Sequence, residues 1–200
     1  MNFRELLSRE FSLSSTQLDQ LERHYELLKA WNKRLNLTSL GTLEDIVRVH
    51  YYESLFLGSL LPKGSLTIAD VGSGAGFPGI PIGVYRPECM VTLIESNRRK
   101  AVFLRESSRG IDNIEVIASR AESVQQTYEF ALSRALRPGD VLGLRLSDKF
   151  LLLTTAEDLK GLPAPVSMSK IPWGDHRVTA MFHVKHDKID RSHLGRERRG

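Results

Sequence analysis

The 200-residue sequence has few of the residues that build disulfide frameworks, thiolate metal sites or membrane spans. Its single cysteine, Cys89, excludes an internal disulfide and any metal site built from several thiolates. No apolar run approaches the roughly 18 residues that a transmembrane helix needs. The first residues alternate charged and apolar side chains, so no secretory signal is expected. We therefore predict a cytoplasmic protein with no membrane partner and no metal site.

The chain also lacks a strong excess of charge over most of its length. Lys and Arg total 28 against 24 Asp and Glu, which gives a net charge of +4. Six basic and three acidic residues in the stretch 183–200 account for three of these four charges, so the rest of the chain is nearly neutral. A mildly basic chain permits a nucleic-acid partner without demonstrating one. The hydrophobic fraction of 41% is ordinary for a soluble globular protein. The length suits one generous domain, or one domain with a small accessory piece.

The first sixty residues have the apolar spacing of helices. Ser14, Ser15 or Thr16 can cap a first segment, in which apolar residues recur every three or four positions. Residues 36–39 interrupt this pattern, and a second helical segment begins near Thr42. Pro62 and Gly64 end that segment. We therefore predict a small helical region over residues 1–62.

The pattern then changes to short apolar runs that alternate with helical or loop segments. Predicted strands cover residues 66–71, 91–95, 114–117, 128–132 and 150–154, and a terminal hairpin joins 166–170 to 177–184. Alternating strands and helices predict an α/β fold, in which helices cover both faces of a mostly parallel sheet. This domain is predicted to span residues 63–186, followed by a disordered basic tail over 187–200.

The sharpest motif is a glycine cluster, which directly follows the first predicted strand and reads DVGSGAGFPG over residues 70–79. Glycines permit a tight turn and let a ligand lie against the bare backbone. Ligands of open α/β sheets bind at the carboxyl ends of the strands, where this cluster lies. The motif therefore predicts a cofactor-binding loop.

Two cofactors fit this loop, and a purely structural turn is the third interpretation. Gly74, Gly76 and Gly79 satisfy the dinucleotide pattern, in which a helix N-terminus faces a doubly charged pyrophosphate. Gly72-x-Gly74-x-Gly76 after Asp70 is typical of enzymes that use S-adenosylmethionine. That molecule presents an ammonium, a carboxylate and a sulfonium, so the acidic Asp70 favours it over a pyrophosphate. Glu95 ends the second predicted strand and can accept hydrogen bonds from the ribose that both cofactors carry.

Five segments of the chain follow one another in a characteristic order. They are residues 31–38 (WNKRLNLT), 50–54 (HYYES), 70–79 (DVGSGAGFPG), 92–96 (TLIES) and 133–135 (SRA). Over about residues 20 to 135, their order and spacing resemble the ribosomal RNA small subunit methyltransferase G family, also called glucose-inhibited division protein B. The resemblance implies a class I methyltransferase (Rossmann-like) fold with a small helical N-terminal region. It also implies methyl transfer from S-adenosylmethionine to N7 of a guanine in 16S ribosomal RNA.

The resemblance also assigns cofactor contacts to individual residues. It implies contacts at Gly72 and Phe77 in the loop, at Ala121 and Glu122 after the third strand, and at Arg134 after the fourth. The acid at position 95 would hold the ribose. The full predicted cofactor-binding set is Asp70, Gly72, Gly74, Gly76, Phe77, Glu95, Ala121, Glu122 and Arg134. Two further motif residues, Asn36 and His50, are interpreted as a helix or turn cap and as an interface histidine with satisfied hydrogen bonds.

Methylation at guanine N7 agrees with the absence of two features that other kinds of nucleotide methylation need. Methylation of an exocyclic amine usually requires an Asn- or Asp-Pro-Pro-aromatic loop after the fourth strand, where this chain has Leu132-Ser133-Arg134-Ala135. Methylation of a pyrimidine carbon requires a cysteine nucleophile, and Cys89 precedes the second strand at the wrong end of the sheet. The lone pair of N7 is free and no proton must leave, so orientation is sufficient and no catalytic residue is assigned.

Four positive charges lie together on the helix predicted after the second strand. Arg98, Arg99, Lys100 and Arg105 are candidates for RNA phosphate contacts, and a solvated helix face is the alternative. We predict a monomer whose partner is 16S ribosomal RNA or the 30S subunit.

The segment after Ala135 departs from the family pattern. Residues 138–148 are short, and the next strand ends in Leu153-Thr154-Thr155, where the family usually has Lys-Gly. Two other functions therefore remain as alternatives. One is an NAD-dependent oxidoreductase, and the other is a non-catalytic RNA- or ribosome-binding module that has kept the fold.

Overall fold

The first part of the chain is helical, as predicted. The computed structural model describes residues 1–39, 41–174 and 176–185. The N-terminal helices are α1 (Phe3–Glu10), α2 (Ser15–Leu35), α3 (Leu43–Ile46), a π-helical segment (Val47–Tyr52) and α4 (Glu53–Ser59). Ser14 caps α2, because its side chain accepts the Gln17 N–H and the Gln17 side chain accepts the Ser14 N–H. The same helix ends at Asn36, whose φ of +47° is left-handed, and Thr42 caps α3.

A seven-stranded mixed sheet forms the second part. Its strands are β1 (Thr67–Val71), β2 (Met90–Ile94), β3 (Ile114–Ile117), β4 (Phe130–Arg134), β5 (Lys149–Thr155), β6 (Ser167–Lys170) and β7 (Arg177–His183). They are ordered β3-β2-β1-β4-β5-β7-β6. The first five run parallel, and β7 is antiparallel to both of its neighbours. This arrangement confirms the predicted mostly parallel sheet with a C-terminal hairpin.

The connections between the parallel strands carry the remaining helices. They are α5 (Gly79–Tyr85), α6 (Arg98–Ser107), a 3-10 turn (Ala121–Ser123) and α7 (Pro138–Leu142). None of the helices in the described ranges is both long enough and apolar enough to cross a bilayer.

The predicted fourth strand was misplaced by two residues. Residues 128–132 were expected, whereas β4 pairs with β1 from Phe130 onward and ends at Arg134. Hydrophobicity alone misses the end of this strand because Ser133 is polar yet buried. Its hydroxyl donates to the Val71 carbonyl over 3.0 Å, which satisfies the side chain inside the sheet.

The sheet separates two hydrophobic cores. The larger one packs the N-terminal helices against one face and includes Leu21, Ile68 and Phe103. The smaller one covers the other face and includes Val71 and Phe150. The helical region and the α/β part therefore share a core, and the boundary at residues 62–63 stays a prediction. The tail predicted over 187–200 lies outside the described residues.

Candidate active site

The glycine cluster forms a tight loop between β1 and α5. Gly72, Gly74 and Gly76 have φ values of +73°, +56° and +88°, a region that L side chains rarely adopt. A Cβ atom at Gly72 would also lie 2.7 Å from Cδ1 of Leu136. The loop therefore requires glycine, as predicted, and presents bare backbone at the carboxyl edge of the sheet.

Asp70 lies behind this loop rather than at its surface. The side chain is fully buried, and Oδ2 accepts the Gly79 N–H over 3.0 Å at the start of α5. Its other oxygen, Oδ1, is buried and has no hydrogen-bond partner among the described residues. Burial raises the pKa of this carboxyl to about 7. Asp70 therefore braces the loop, and its predicted contact with the cationic end of a cofactor stays a prediction.

Glu95 ties the glycine loop to the start of α6. Its Oε2 accepts the Gly74 N–H over 2.9 Å, and its Oε1 accepts the Asn97 N–H over 2.7 Å. The carboxylate is thus fixed directly after β2, the position expected of a ribose acceptor. Each oxygen keeps a second lone pair for a ligand hydroxyl.

A cavity of about 220 Å³ lies at the carboxyl ends of β1, β2 and β3. Three predicted cofactor residues, Gly72, Ala121 and Glu122, line it. Leu136 and Asp140 also line it. This first cavity is the candidate adenosyl site.

Arg134 and Phe77 do not line the first cavity. They contact His50 instead, whose ring stacks on Phe77 with centroids 4.6 Å apart, and Arg134 Nη2 lies 2.6 Å from His50 Nδ1. On its other side, His50 Nε2 lies 2.8 Å from Thr38 Oγ1. Burial, helped by Arg134 and Arg177, lowers the pKa of His50 to about 2. This neutral, fully bonded ring agrees with the interface histidine predicted from the sequence.

A second cavity of about 220 Å³ lies at the carboxyl ends of β4 and β5. Arg134, Arg137 and Arg177 line it together with one carboxylate, Asp158. Arg177 is paired with Glu53 over 2.6 Å. The Arg134 Nη1 atom is buried and has no partner among the described residues. The wall is therefore rich in donors that suit a phosphate or carbonyl oxygen.

Leu136 separates the two cavities, a role that the sequence did not reveal. It lines both of them and is 43% exposed. The preceding residue, Ala135, has a left-handed φ of +63°. The turn after β4 thus places Leu136 over the Gly72 backbone.

Sequence reasoning also missed His24 on α2. Its Nε2 donates to the Ala75 carbonyl over 2.9 Å, because its Nδ1 accepts the Tyr51 hydroxyl at 2.9 Å. The ring is fully buried, and burial lowers its pKa to about 4. His24 therefore anchors the glycine loop to α2 through the Ala75 carbonyl. The available signal was a polar residue between Leu21 and Leu28 on the apolar face of a helix.

The predicted substrate-binding cations all lie on or at the start of α6. Arg98, Arg99 and Arg105 are exposed and Lys100 is half-buried. Of the four, Arg99 alone lines a cavity described here, a groove between α2 and α6. Within the described residues, no group of three or more His, Cys, Asp or Glu side chains could hold a metal ion.

The strand order and the glycine loop after β1 define the fold of S-adenosylmethionine-dependent methyltransferases. A solved structure of such an enzyme from Aquifex aeolicus has a TM-score of 0.55 at 14% identity, covering 70% of this chain and 93% of that chain. A ribosomal protein L11 methylase from Lactobacillus delbrueckii subsp. bulgaricus has a TM-score of 0.52 at 16% identity, covering 68% and 79%. At these identities the likeness confirms the predicted fold class alone.

Sequence comparison identifies the family. The model described as rRNA small subunit methyltransferase G matches residues 17–152, and the chain belongs to that family. A curated relative of that name from Streptococcus pneumoniae is 32% identical over 164 residues, or 74% of this chain and 69% of the relative. One from Staphylococcus epidermidis is 29% identical over 201 residues, or 94% and 84%.

A third relative matches more closely over a shorter stretch. The Neisseria gonorrhoeae protein of the same name is 43% identical over 116 residues, 56% of this chain and only 55% of that protein. Together, the family and the fold confirm the resemblance predicted from the sequence and the methyltransferase class with its S-adenosylmethionine cofactor. They do not favour the oxidoreductase or the non-catalytic binding module.

Proposed function

We propose that this chain transfers the methyl group of S-adenosylmethionine to N7 of a guanine in 16S ribosomal RNA, free or within the 30S subunit. Family membership supports a ribosomal RNA substrate of the small subunit. The observation that carries the proposal is that two cavities meet across Leu136 at the carboxyl edge of the sheet. A donor molecule and an acceptor base would occupy them on either side of that residue.

The first cavity fits the adenosyl part of the cofactor. Backbone at Gly72 and residues Ala121 and Glu122 would hold the base. Glu95 does not itself line the cavity, but it follows Ile94, which does, and its fixed carboxylate would accept hydrogen bonds from the ribose hydroxyls. The unpartnered Oδ1 of Asp70 suits a nearby cationic group. When bound, S-adenosylmethionine supplies an electrophilic methyl group.

The second cavity fits a nucleotide. Arg134, Arg137 and Arg177 offer N–H donors to phosphate or base oxygens. The carboxylate of Asp158, which accepts the Thr155 hydroxyl over 2.7 Å, offers an acceptor to the amino edge of guanine.

No proton leaves N7 during methylation, so these side chains need only orient the base against the donor. The chain itself would therefore supply binding and alignment, and no residue would act as a general base. We also propose that it acts as a monomer, which sedimentation of the purified protein would test, and that it works in the cytoplasm, which cell fractionation would test.

Methyl transfer from labelled S-adenosylmethionine to 16S RNA and to 30S particles tests the reaction. Borohydride reduction followed by aniline cleaves RNA at 7-methylguanosine and maps the modified base. RNA made with 7-deazaguanosine, which lacks the acceptor nitrogen, is the matched control and should take up no label. Label in that control would overturn the assignment of N7.

Calorimetric titration with S-adenosylmethionine, S-adenosylhomocysteine and NAD tests the cofactor. Binding of the first two, with no heat from NAD, is the expected result. If only NAD bound, the methyltransferase proposal would be wrong. Tight binding of S-adenosylmethionine without turnover on either RNA substrate would instead indicate a non-catalytic binding module.

A further inference from the structure

A third cavity lies outside the candidate active site, between the C-terminal half of α2 and the first turns of α6. It has a volume of about 630 Å³, against about 220 Å³ for each of the other two. We call it the α2–α6 groove, and its main lining residues are Trp31, Lys33, Arg34, Leu35, Arg99 and Val102. Neither the cofactor nor the acceptor base requires this space.

The charged side chains that line the α2–α6 groove are all positive. Lys33, Arg34 and Arg99 line it without any acidic side chain, and none of the three forms an ion pair within the described part of the chain. Other cations of α2 are neutralised locally, such as Lys29, which lies 2.8 Å from Glu26. The three groove cations therefore remain available to an external anion.

The apolar part of the groove is built around a tryptophan. The ring of Trp31 packs against Phe103 with centroids 5.8 Å apart, which fixes its orientation, and it is only half-buried. Val102 is 51% exposed beside it. A fixed, accessible aromatic ring among cations is what single-stranded nucleic acid requires, because bases stack on the ring and phosphates meet the charges.

The groove is also connected to the candidate active site. At its α6 end, Asn97 caps the helix and its N–H is bonded to Glu95. At its α2 end, Asn32 donates to the Thr38 carbonyl and accepts the Thr38 N–H, both at 2.9 Å. Thr38 in turn contacts His50, the partner of the arginine in the second cavity. The groove thus lies at the same edge of the sheet as both cavities.

We propose that the α2–α6 groove binds a single-stranded segment of the RNA substrate outside the nucleotide that is methylated. Trp31 would stack on one base, and Lys33, Arg34 and Arg99 would contact the phosphates around it. The proposal rests on the proposed function, since it assumes an RNA substrate. Duplex RNA should bind less well, because its bases are already stacked and paired.

Two exposed arginines provide a charge-matched test. Arg99→Gln removes a charge from the groove, and Arg145→Gln removes one from the loop before β5, outside the groove lining. Fluorescence anisotropy with a labelled 12-nucleotide oligouridine should show weaker binding for Arg99→Gln and a salt slope reduced by about 0.7, the value for one phosphate contact on a single strand. Arg145→Gln should bind as the wild type does. If the two substitutions changed the affinity for oligouridine equally, or if a 12-base-pair duplex bound as tightly as oligouridine, the proposal that the groove binds single-stranded RNA would be wrong.

Trp31 provides a second test that does not depend on charge. Trp31→Leu should weaken oligouridine binding about tenfold, whereas Trp31→Phe should retain most of it because a phenyl ring still stacks. The chain has two tryptophans, so Trp173→Phe leaves Trp31 as the only one, and excitation at a wavelength that tyrosine does not absorb isolates its emission. Bound oligouridine should quench its emission, which tests stacking even if Trp31→Leu fails to fold. Unchanged emission on saturation would contradict stacking.

Measurements of methyl transfer distinguish an error in the proposal for the groove from an error in the proposed function. Arg99→Gln should raise KM for 16S RNA while leaving kcat and the affinity for S-adenosylmethionine unchanged. If the wild type methylates 16S RNA and Arg99→Gln behaves like Arg145→Gln, only the proposal for the groove is wrong. If oligouridine quenches the Trp31 emission in Trp173→Phe but the wild type transfers no methyl group, the groove is still an RNA-binding site and the proposed reaction is wrong.

Discussion

The Nη2 atom of Arg134 donates a hydrogen bond of 2.6 Å to Nδ1 of His50, which joins β4 to the helical N-terminal region. A guanidinium can only donate, so Nδ1 of His50 carries no proton and Nε2 donates to Thr38 Oγ1. With a pKa lowered to about 2, His50 stays neutral at every pH at which the protein would work. It therefore holds Arg134 rigidly at the wall of the second cavity.

Arg134→Lys should impair turnover on RNA rather than cofactor binding. Lysine keeps the charge but loses the planar fork that bonds His50 and a ligand oxygen at the same time. We expect kcat/KM for 16S RNA to fall about tenfold or more. The affinity for S-adenosylmethionine, measured by calorimetry, should change little. Arg137→Lys, at an exposed position of the same cavity, should have a smaller effect.

The opposite result has a definite meaning. If Arg134→Lys weakened cofactor binding as strongly as turnover, Arg134 would contact the cofactor, as the family resemblance implies. The position of Arg134 on the far side of Leu136 would then not describe the bound state.

The glycine loop could be predicted because its signals are local. A buried strand that runs into glycines, a capping Ser14 and a left-handed Asn36 each depend on a few neighbouring residues. The parallel order of the strands followed from their alternation with helices. The hairpin of β6 and β7 likewise required only two short segments and a turn region between them.

The distribution of side chains between the cavities could not be predicted, because it depends on long-range register. Val71 pairs with Ser133, and this register sends Arg134 past the glycine loop toward His50. The burial of Asp70 was hidden for a related reason, since a strand buried on both faces has no alternating pattern. The bond of His24 to Ala75 joins residues 51 positions apart, beyond the reach of any local pattern.

His24→Gln should make stability less dependent on pH. In the folded protein burial holds the pKa of His24 at about 4, against 6.5 when unfolded, so the unfolded chain binds more protons between these values. Its contribution is complete above pH 6.5 and is lost as the pH falls toward 4. Between pH 7 and pH 5 this loss amounts to about 2 kcal/mol of the free energy of unfolding.

Urea unfolding at pH 7, 6 and 5 measures this effect as the difference between wild type and variant. Asp70, whose raised pKa has the opposite influence on the pH dependence, is present in both proteins and largely cancels. Parallel curves for the two proteins would show that His24 is not buried in its neutral form.

Gly72→Ala should weaken binding of S-adenosylmethionine, whereas Gly110→Ala should not. Both glycines have left-handed φ values, +73° and +81°, so both variants should lose about 1 kcal/mol or more of stability. A Cβ at Gly110 meets nothing within 4 Å, but one at Gly72 would meet Leu136 at 2.7 Å and displace it within the cavities. We expect at least a tenfold loss of affinity by calorimetry for Gly72→Ala alone.

A double variant identifies the cause of that loss. Gly72→Ala combined with Leu136→Ala removes the clash and should restore part of the affinity. If the double variant bound no better than Gly72→Ala, displacement of Leu136 would not be the reason.

Asp70 should couple cofactor binding to proton release. Its pKa of about 7 leaves the carboxyl largely protonated at pH 6, and a cationic ligand beside Oδ1 would favour the charged form. Binding of S-adenosylmethionine should therefore release a proton at pH 6 and tighten about tenfold between pH 6 and pH 8. Calorimetry in buffers of different ionisation enthalpy measures the protons released.

Asp70→Asn is the control for this coupling. The asparagine oxygen can still accept the Gly79 N–H, so the loop keeps its brace, but the group no longer titrates. The amine of the ligand titrates equally with both proteins, so the difference between them isolates Asp70. Equal proton release from wild type and variant would show that Asp70 only supports the loop and does not sense the charge of the cofactor.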